Sequence, residues 1–235
     1  MDAGHLVTEQ LAYYRARAAE GDEWWEGRAE DDLETGLRGA WRADALQLRA
    51  DLERFAPSGD VLELAGGTGV FTAELLRHTG RVTVVDAAPE ALAVNRARHP
   101  GATFVEADLF DWEPPRQFDA VCSSFWISHV PAGRWTGFWA MVARALRPGG
   151  RVWLCDNAHP ADATAGPAGY HERVAVADPA SGVGERRLRD GRVFQIVKRY
   201  WRPAELERDL AAIGWTARIS TTDWAFIHGE AVPPE

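Results

Sequence analysis

The chain of 235 residues is 46% hydrophobic and 26% charged, which is long enough for one α/β domain and excludes a disordered protein. Its formal net charge of −9 argues against nucleic acid and anionic membranes as partners, because a surface of that sign repels phosphate. Cys122 and Cys155 lie in apolar runs, and no leader or run of roughly 20 apolar residues stands out, so we expect a reduced, cytoplasmic protein.

The N-terminal residues 1–56 are predicted to form a helical cap. In 6–20, apolar side chains share one helical face, and in 41–55 they recur at steps of three and four until Pro57 ends the helix. We expect this cap to belong to a single domain that spans 1–235.

Residues 57–159 are predicted to form the core of that domain, because short apolar strands alternate with helices. Strands are predicted at 61–64, 82–86, 103–105, 118–124 and 151–156, and helices at 71–78, 89–98 and 135–146. This alternation predicts a parallel sheet covered on both faces, with ligands bound beyond the carboxyl ends of the strands.

The last third is predicted to add a loop and hairpin, 160–202, and a C-terminal segment, 203–235. Asp190-Gly191 suits a type I′ turn between two hairpin arms. The C-terminal segment is predicted to form a helix that begins at Pro203 and then a strand pair, 215–220 and 224–229, that could complete the sheet.

A glycine turn in 61–69 follows the first core strand, where backbone must approach a ligand closely. Asp86 ends the second strand and can accept hydrogen bonds from a ribose diol, and Asp108 follows the third strand. The dinucleotide fingerprint would require a third glycine where Thr72 stands, which weakens a nicotinamide-dependent oxidoreductase as the alternative.

These segments resemble the class I S-adenosylmethionine-dependent methyltransferases that act on small molecules in bacteria. The family patterns V-L-E-L-G-C-G-T-G, V-x-V-D-x-S and L-R-P-G-G correspond to 61–69, 84–88 and 146–150, and a D-A-V segment ending in H-V corresponds to 119–130. The resemblance implies a Rossmann-like seven-stranded sheet with helices on both faces. It also implies that S-adenosylmethionine is the cofactor and that its methyl group passes to oxygen, nitrogen or carbon of a small molecule.

The resemblance implies a set of cofactor-binding residues, which includes Tyr14 of the N-terminal helix and residues in or after the core strands: Tyr14, Glu63, Ala65, Gly67, Gly69, Asp86, Ala87, Asp108, Leu109 and Ser124. Ala65 replaces the usual first glycine and Gly66 the usual cysteine. We therefore expect the flexible position of the turn to shift by one residue.

Aromatic residues are predicted to wall the acceptor site. Tyr13-Tyr14 resembles a segment that closes over the cofactor, which suits a sulfonium because aromatic faces attract cations; the alternative is a core helix. Tyr13, Trp25, Trp126 and His129 are the predicted substrate-binding residues. Further tryptophans near the predicted mouth are Trp24, Trp135, Trp139 and Trp201, of which Trp135 and Trp139 have the helical spacing of core residues.

His129 is the candidate general base, since it follows a core strand near the expected methyl position and can titrate near neutral pH. Its alternative is a structural histidine beside a helix start, with proximity and desolvation supplying the rate. His159, Tyr170 and His171 are weaker candidates.

The hairpin carries a basic series that could bind an anionic substrate group or protect an exposed edge strand, and the second interpretation is preferred: Arg186, Arg187, Arg189, Arg192, Lys198 and Arg199. No cluster has metal-ligand spacing, so no metal is expected. A non-catalytic S-adenosylmethionine-binding protein remains a second alternative, and a monomer and a homodimer are both compatible with the sequence.

Overall fold

The computed structural model of the chain describes residues 3–20, 22, 25, 35–159 and 182–234. Its helices are α1 (Ala3–Arg17), α2 (Thr35–Phe55), α3 (Val70–Leu75), α4 (Pro89–Arg98), α5 (Trp135–Ala145) and α6 (Pro203–Ala211). Its strands are β1 (Val61–Leu64), β2 (Val82–Asp86), β3 (Thr103–Glu106), β4 (Phe118–Ser124), β5 (Leu146–Asn157), β6 (Val183–Arg187), β7 (Val193–Val197), β8 (Thr216–Thr221) and β9 (Phe226–Val232).

Seven strands form one twisted sheet in the order β3-β2-β1-β4-β5-β9-β8. The first five run parallel, whereas β9 lies antiparallel to both β5 and β8. The order reverses at β1, so a crevice opens beyond the carboxyl ends of β1 and β4, where doubly wound sheets bind ligands. The predicted Rossmann-like seven-stranded sheet is confirmed, including the final strand pair at its edge.

The sheet is buried on both faces because successive side chains of each strand point to opposite sides. Leu62 and Leu154 face the layer that contains α5 and α6, where Trp139 packs at 1% exposure. On the other face, Trp153 packs with residues of α2 such as Leu48. Within the described ranges, no helix combines the length and apolar character needed to cross a membrane.

Element boundaries near 146–150 differ from the sequence prediction. Helix α5 ends at Ala145, and β5 already begins at Leu146, which pairs with Phe118 ahead of a register shift. Gly149, at a φ of 79°, lets the chain turn through this irregularity and continue as a strand. The Pro-Gly-Gly motif therefore lies inside a bulged strand.

Strands β6 and β7 form a separate two-stranded sheet. The predicted type I′ turn is wrong, because such a turn needs positive φ at both central residues and only Gly191, at 91°, has it. The Gly191 amide instead donates to the Leu188 carbonyl (2.9 Å), and the Leu188 amide donates to the Arg192 carbonyl (2.9 Å). This is a three-residue loop with a glycine bulge.

Helix α1 packs along the outer edge of β7 and satisfies its free amides. Glu9 Oε1 accepts from the Gln195 amide (2.7 Å), and Gln10 Oε1 accepts from the Val197 amide (3.1 Å). The N-terminal helix and the β6–β7 hairpin therefore form a single cover over the carboxyl edge of the main sheet.

Candidate active site

A cavity of about 730 Å³ lies between the carboxyl edge of the sheet and the cover made by α1 and the hairpin. Its floor comes from the ends of β1, β2 and β4, and its roof from residues such as Gln10 and Tyr14. This volume lies in the upper half of the range for small-molecule sites, which leaves room for a nucleoside cofactor and a small second molecule.

The glycine turn adopts its bend at a position other than the one expected from the sequence. Ala65 itself takes the left-handed conformation, at a φ of 54°, so the flexible position has not shifted and Ala65 tolerates a strain of about 1–2 kcal/mol. Gly66 is needed for another reason: a Cβ there would collide with Val84.

Glu63 supports this turn from below. Its side chain is 1% exposed and accepts from the Thr72 hydroxyl, which in turn accepts from Asn95 Nδ2 (2.9 Å). The Asn95 amide also donates to the Gly67 carbonyl (3.3 Å). Burial is the main cause that raises the pKa of Glu63 to about 8, with Asp86 adding to it. The carboxyl group is therefore mostly neutral near pH 7.

Asp86 anchors the turn and faces the cavity. Its Oδ2 accepts from the Gly67 amide and its Oδ1 from the Ala88 amide, both at 2.8 Å, while burial raises its pKa. A carboxylate offers about four lone-pair sites, so these backbone bonds leave accepting capacity for a ribose hydroxyl. Asp108, held by the Phe110 amide at 2.9 Å, lines the cavity from the next strand end. These residues fit a nucleoside cofactor.

Most of the predicted site residues line the cavity: Tyr13, Tyr14, Glu63, Ala65, Gly67, Asp86, Ala87, Asp108, Leu109, Ser124, Trp126 and His129. Two do not. Gly69, at a φ of 98°, caps α3, and a Cβ there would collide with Asn95 rather than with a ligand. Trp25 is buried behind the wall, with ring centroids 5.3 Å from Phe71 and 5.8 Å from Phe125.

His129 lies in a 3₁₀ turn after β4 and is 5% exposed. Its Nδ1 lies 2.7 Å from the Val197 carbonyl oxygen, and its Nε2 lies 2.8 Å from the Tyr14 hydroxyl. Burial, followed by the positive charge of Lys198, lowers the pKa of His129 well below its usual value. The imidazole is therefore neutral at physiological pH.

The basic series of the hairpin divides into two groups. Arg186, Arg187, Arg189 and Lys198 line the cavity together with Arg17 of α1, whereas Arg192 and Arg199 do not line it. The preferred interpretation, that these charges protect an edge strand, does not hold for Lys198, which is buried, or for Arg186, which is half-buried against the cavity. Arg187 and Arg189 touch the cavity wall but are exposed to solvent.

Lys198 is the most deeply buried of these cations, at 2% exposure. Its Nζ lies 2.8 Å from Ser128 Oγ, 2.8 Å from Asn157 Oδ1 and 3.4 Å from Asp156 Oδ1. Burial is the main cause that lowers its pKa to about 8, and Asp156 opposes this shift. The ammonium group thus joins the end of β7 to the end of β5.

Several residues of the cavity wall were not predicted as site residues: Arg17, Asp22, Trp41, Thr68, Phe110 and Phe125. Phe125 has a φ of 55°, a strained conformation that often occurs at functional sites, and no sequence pattern indicates it. Arg17 could have been suspected from its place one turn after Tyr13. Trp24, Tyr170 and His171 lie outside the described residues, and His159 does not line the cavity.

The fold and the carboxylates at the strand ends define a nucleoside-binding α/β protein, and comparisons with known proteins name its family. Residues 61–150 match the model of a family described as a methyltransferase domain. A demethylmenaquinone methyltransferase of Mycolicibacterium vanbaalenii is 30% identical over 189 residues, which cover 78% of each chain. The demethylmenaquinone methyltransferase of Tropheryma whipplei is 32% identical over 104 residues, and this match spans only 43% of each chain.

The solved DhpI-SAM-HEP complex is similar over nearly the whole length, at 34% identity. The alignment covers 99% of this chain and 100% of that chain, with a TM-score of 0.77. The chain therefore belongs to the class I S-adenosylmethionine-dependent methyltransferases, and S-adenosylmethionine is its cofactor.

Replacing Asp86 tests its role toward the cofactor. We expect Asp86→Ala to weaken S-adenosylhomocysteine binding by about 1.5–3 kcal/mol, since a charged acceptor of the ribose hydroxyls is lost and the Gly67 amide loses its partner. Calorimetry measures the affinity, and Asp111→Ala, which removes an exposed carboxylate nearby, is the control. Unchanged affinity in a folded Asp86→Ala variant would contradict the assignment.

Proposed function

We propose that this protein transfers the methyl group of S-adenosylmethionine to a small acceptor that carries a negative charge. The observation that supports the anionic acceptor is the pair of guanidinium groups on the cavity wall near His129, those of Arg17 and Arg186, in a chain whose net charge is −9. Two cations that stand close together at one end of a cavity are suited to attract and hold an anion there.

The cavity wall also carries Glu20 and Glu185 on the side of α1 and the hairpin, but the cations nearest the acceptor end gather around His129. Asp86 and Asp108 stand at the sheet edge, whereas Arg17, Arg186 and Lys198 surround His129, whose pKa all three of them lower. This separation supports a nucleoside end for the cofactor and a cationic end for the acceptor. Guanidinium groups bind carboxylate and phosphate oxygens through paired hydrogen bonds.

The bound cofactor supplies a methyl group on a sulfonium that departs as a neutral thioether, so the leaving group needs no acid. The residues of this chain hold the acceptor in place and exclude water: α1 and the hairpin cover the cavity, and Tyr13, Tyr14 and Trp126 give it apolar walls. Orientation of this kind can contribute up to about 7–11 kcal/mol.

We also propose the remaining features predicted from the sequence. Residues 1–235 act as one methyltransferase domain, with the helical cap 1–56, the core 57–159, the insertion 160–202 and the C-terminal segment 203–235. The buried thiols of Cys122 and Cys155 support a location in the reducing cytoplasm.

The test compares acceptors in matched pairs, each a small carboxylate and its neutral methyl ester or a phosphate monoester and its neutral dimethyl ester. S-adenosylhomocysteine formation is measured. We expect only the anions to be methylated efficiently, and Arg186→Gln to lower kcat/KM for them about tenfold because a charge-assisted hydrogen bond is lost. Arg192→Gln, an exposed hairpin cation outside the cavity wall, is the control.

Two results would contradict the proposal. Preference for the neutral esters would exclude the anionic acceptor while leaving methyl transfer in place. Tight S-adenosylhomocysteine binding without methylation of any acceptor would favour a non-catalytic cofactor-binding protein.

A further inference from the structure

We infer that Tyr14, aimed by His129, is the hydrogen-bond acceptor that orients a hydroxyl or amino group of the methyl acceptor. In this assignment His129 is a positioning residue and removes no proton from the acceptor. The inference rests on the proposed function and adds a second feature to the acceptor, a hydrogen-bond donor beside its negative charge.

The geometry of His129 fixes the direction of its two hydrogen bonds. A backbone carbonyl oxygen can only accept, so the contact of 2.7 Å between Nδ1 and the Val197 oxygen requires a hydrogen on Nδ1. In the neutral ring Nε2 then carries a lone pair and accepts, which means that the Tyr14 hydroxyl donates across the 2.8 Å contact.

This direction determines what Tyr14 presents to the cavity. A phenol has one hydrogen and accepting lone pairs. Since the hydrogen is directed at His129, the free lone pairs of Tyr14 Oη are available to a ligand in the cavity that both residues line. The ring of Tyr14 also contacts those of Tyr13 and His129 edge-on, at 5.0 and 5.4 Å, which restricts its rotation.

The surrounding charges keep the hydrogen bond between Tyr14 and His129 from reversing its direction. The groups that face His129 are Tyr14 and Arg17 of α1, Arg186 of β6 and Lys198 after β7. The three cations oppose a positive imidazolium, and burial raises the pKa of Tyr14, so neither partner changes its charge near pH 7. To act as a general base, His129 would have to take up a proton and become positive, which these three cations oppose.

Binding of lactate and propionate to the protein saturated with S-adenosylhomocysteine tests the inference without a known acceptor. The two anions differ in one hydroxyl group. We expect lactate to bind about three- to tenfold more tightly than propionate, the effect of one hydrogen bond. Tyr14→Phe should abolish this difference, whereas Arg186→Gln should weaken both anions and preserve it.

The outcomes separate this inference from the proposed function. If both anions bind equally well to the wild-type protein, or if Tyr14→Phe leaves the preference for lactate intact, Tyr14 does not have the inferred role and the anionic site stands. If neither anion binds, the proposed anionic acceptor fails, and the orientation of Tyr14 is decided by the spectroscopic test.

That test is ¹⁵N NMR of histidine-labelled protein, with His129 assigned by the signals lost in His129→Asn. We expect a protonated Nδ1 and an unprotonated Nε2 from pH 5.5 to pH 9. Tyr14→Phe should move the Nε2 signal toward that of a nitrogen without a hydrogen bond. A hydrogen on Nε2, or titration of His129 near pH 6.5, would overturn the inference.

Discussion

Lys198→Met is expected to destabilise the folded protein by about 3–5 kcal/mol. The substitution keeps most of the side-chain volume and removes a charge that is 2% exposed. Asp156, at 0% exposure, would keep its bonds from the amides of Ser128 (2.9 Å) and Asn157 (2.7 Å) but lose its counter-ion. Ser128 Oγ and Asn157 Oδ1 would also lose their bonds to the ammonium group.

Chemical denaturation measures this effect, and two further variants define its cause. Arg187→Met removes an exposed cation of the same hairpin, 3.8 Å from Glu185, and should cost less than about 1 kcal/mol. The double variant Lys198→Met, Asp156→Asn should recover part of the loss because no buried charge remains unpaired. Equal stability of Lys198→Met and the wild-type protein would show that the pair does not hold the hairpin to the sheet.

The parts of the fold that the sequence predicts well are those with a local signal. Strand β1, the glycine turn and Asp86 follow one another in a fixed spacing, and helix α4 begins at Pro89 and ends at Arg98 as predicted. Proline at the first helical position and alternating apolar runs act within a few residues, so no knowledge of the tertiary structure is needed.

The acceptor end of the site could not be predicted in the same way, because it is made by contacts between distant segments. His129 meets Tyr14 across 115 residues and Val197 across 68. Whether Arg186 protects an edge or lines a cavity depends on the side of the hairpin that α1 covers. Trp25 is a residue type that is common in aromatic pocket walls, yet its ring packs against Phe71 in the core.

The pH dependence of stability is expected to change markedly in Glu63→Gln. The pKa of Glu63 in the folded protein is about 8, against 4.5 for the free side chain. Below pH 4.5 both states are protonated and the carboxyl group has no effect on folding. As the pH rises from 4.5 to 8, the unfolded chain releases this proton and the folded protein retains it, so the wild-type protein loses stability. Above pH 8 both states are ionised and the loss ends.

The loss across this window is on the order of 5 kcal/mol, because each unit of pKa difference is worth about 1.4 kcal/mol. Glutamine is neutral and can still accept from Thr72, so the substitution should remove this decline. The variant should match the stability of the wild-type protein at pH 4.5 and exceed it at pH 8. Chemical denaturation of both cofactor-free proteins at a series of pH values measures their free energies of unfolding. Glu113→Gln, which changes an exposed partner of Arg144, should leave the wild-type curve in place. Parallel curves for Glu63→Gln and the wild-type protein would mean that Glu63 is ionised beneath the glycine turn.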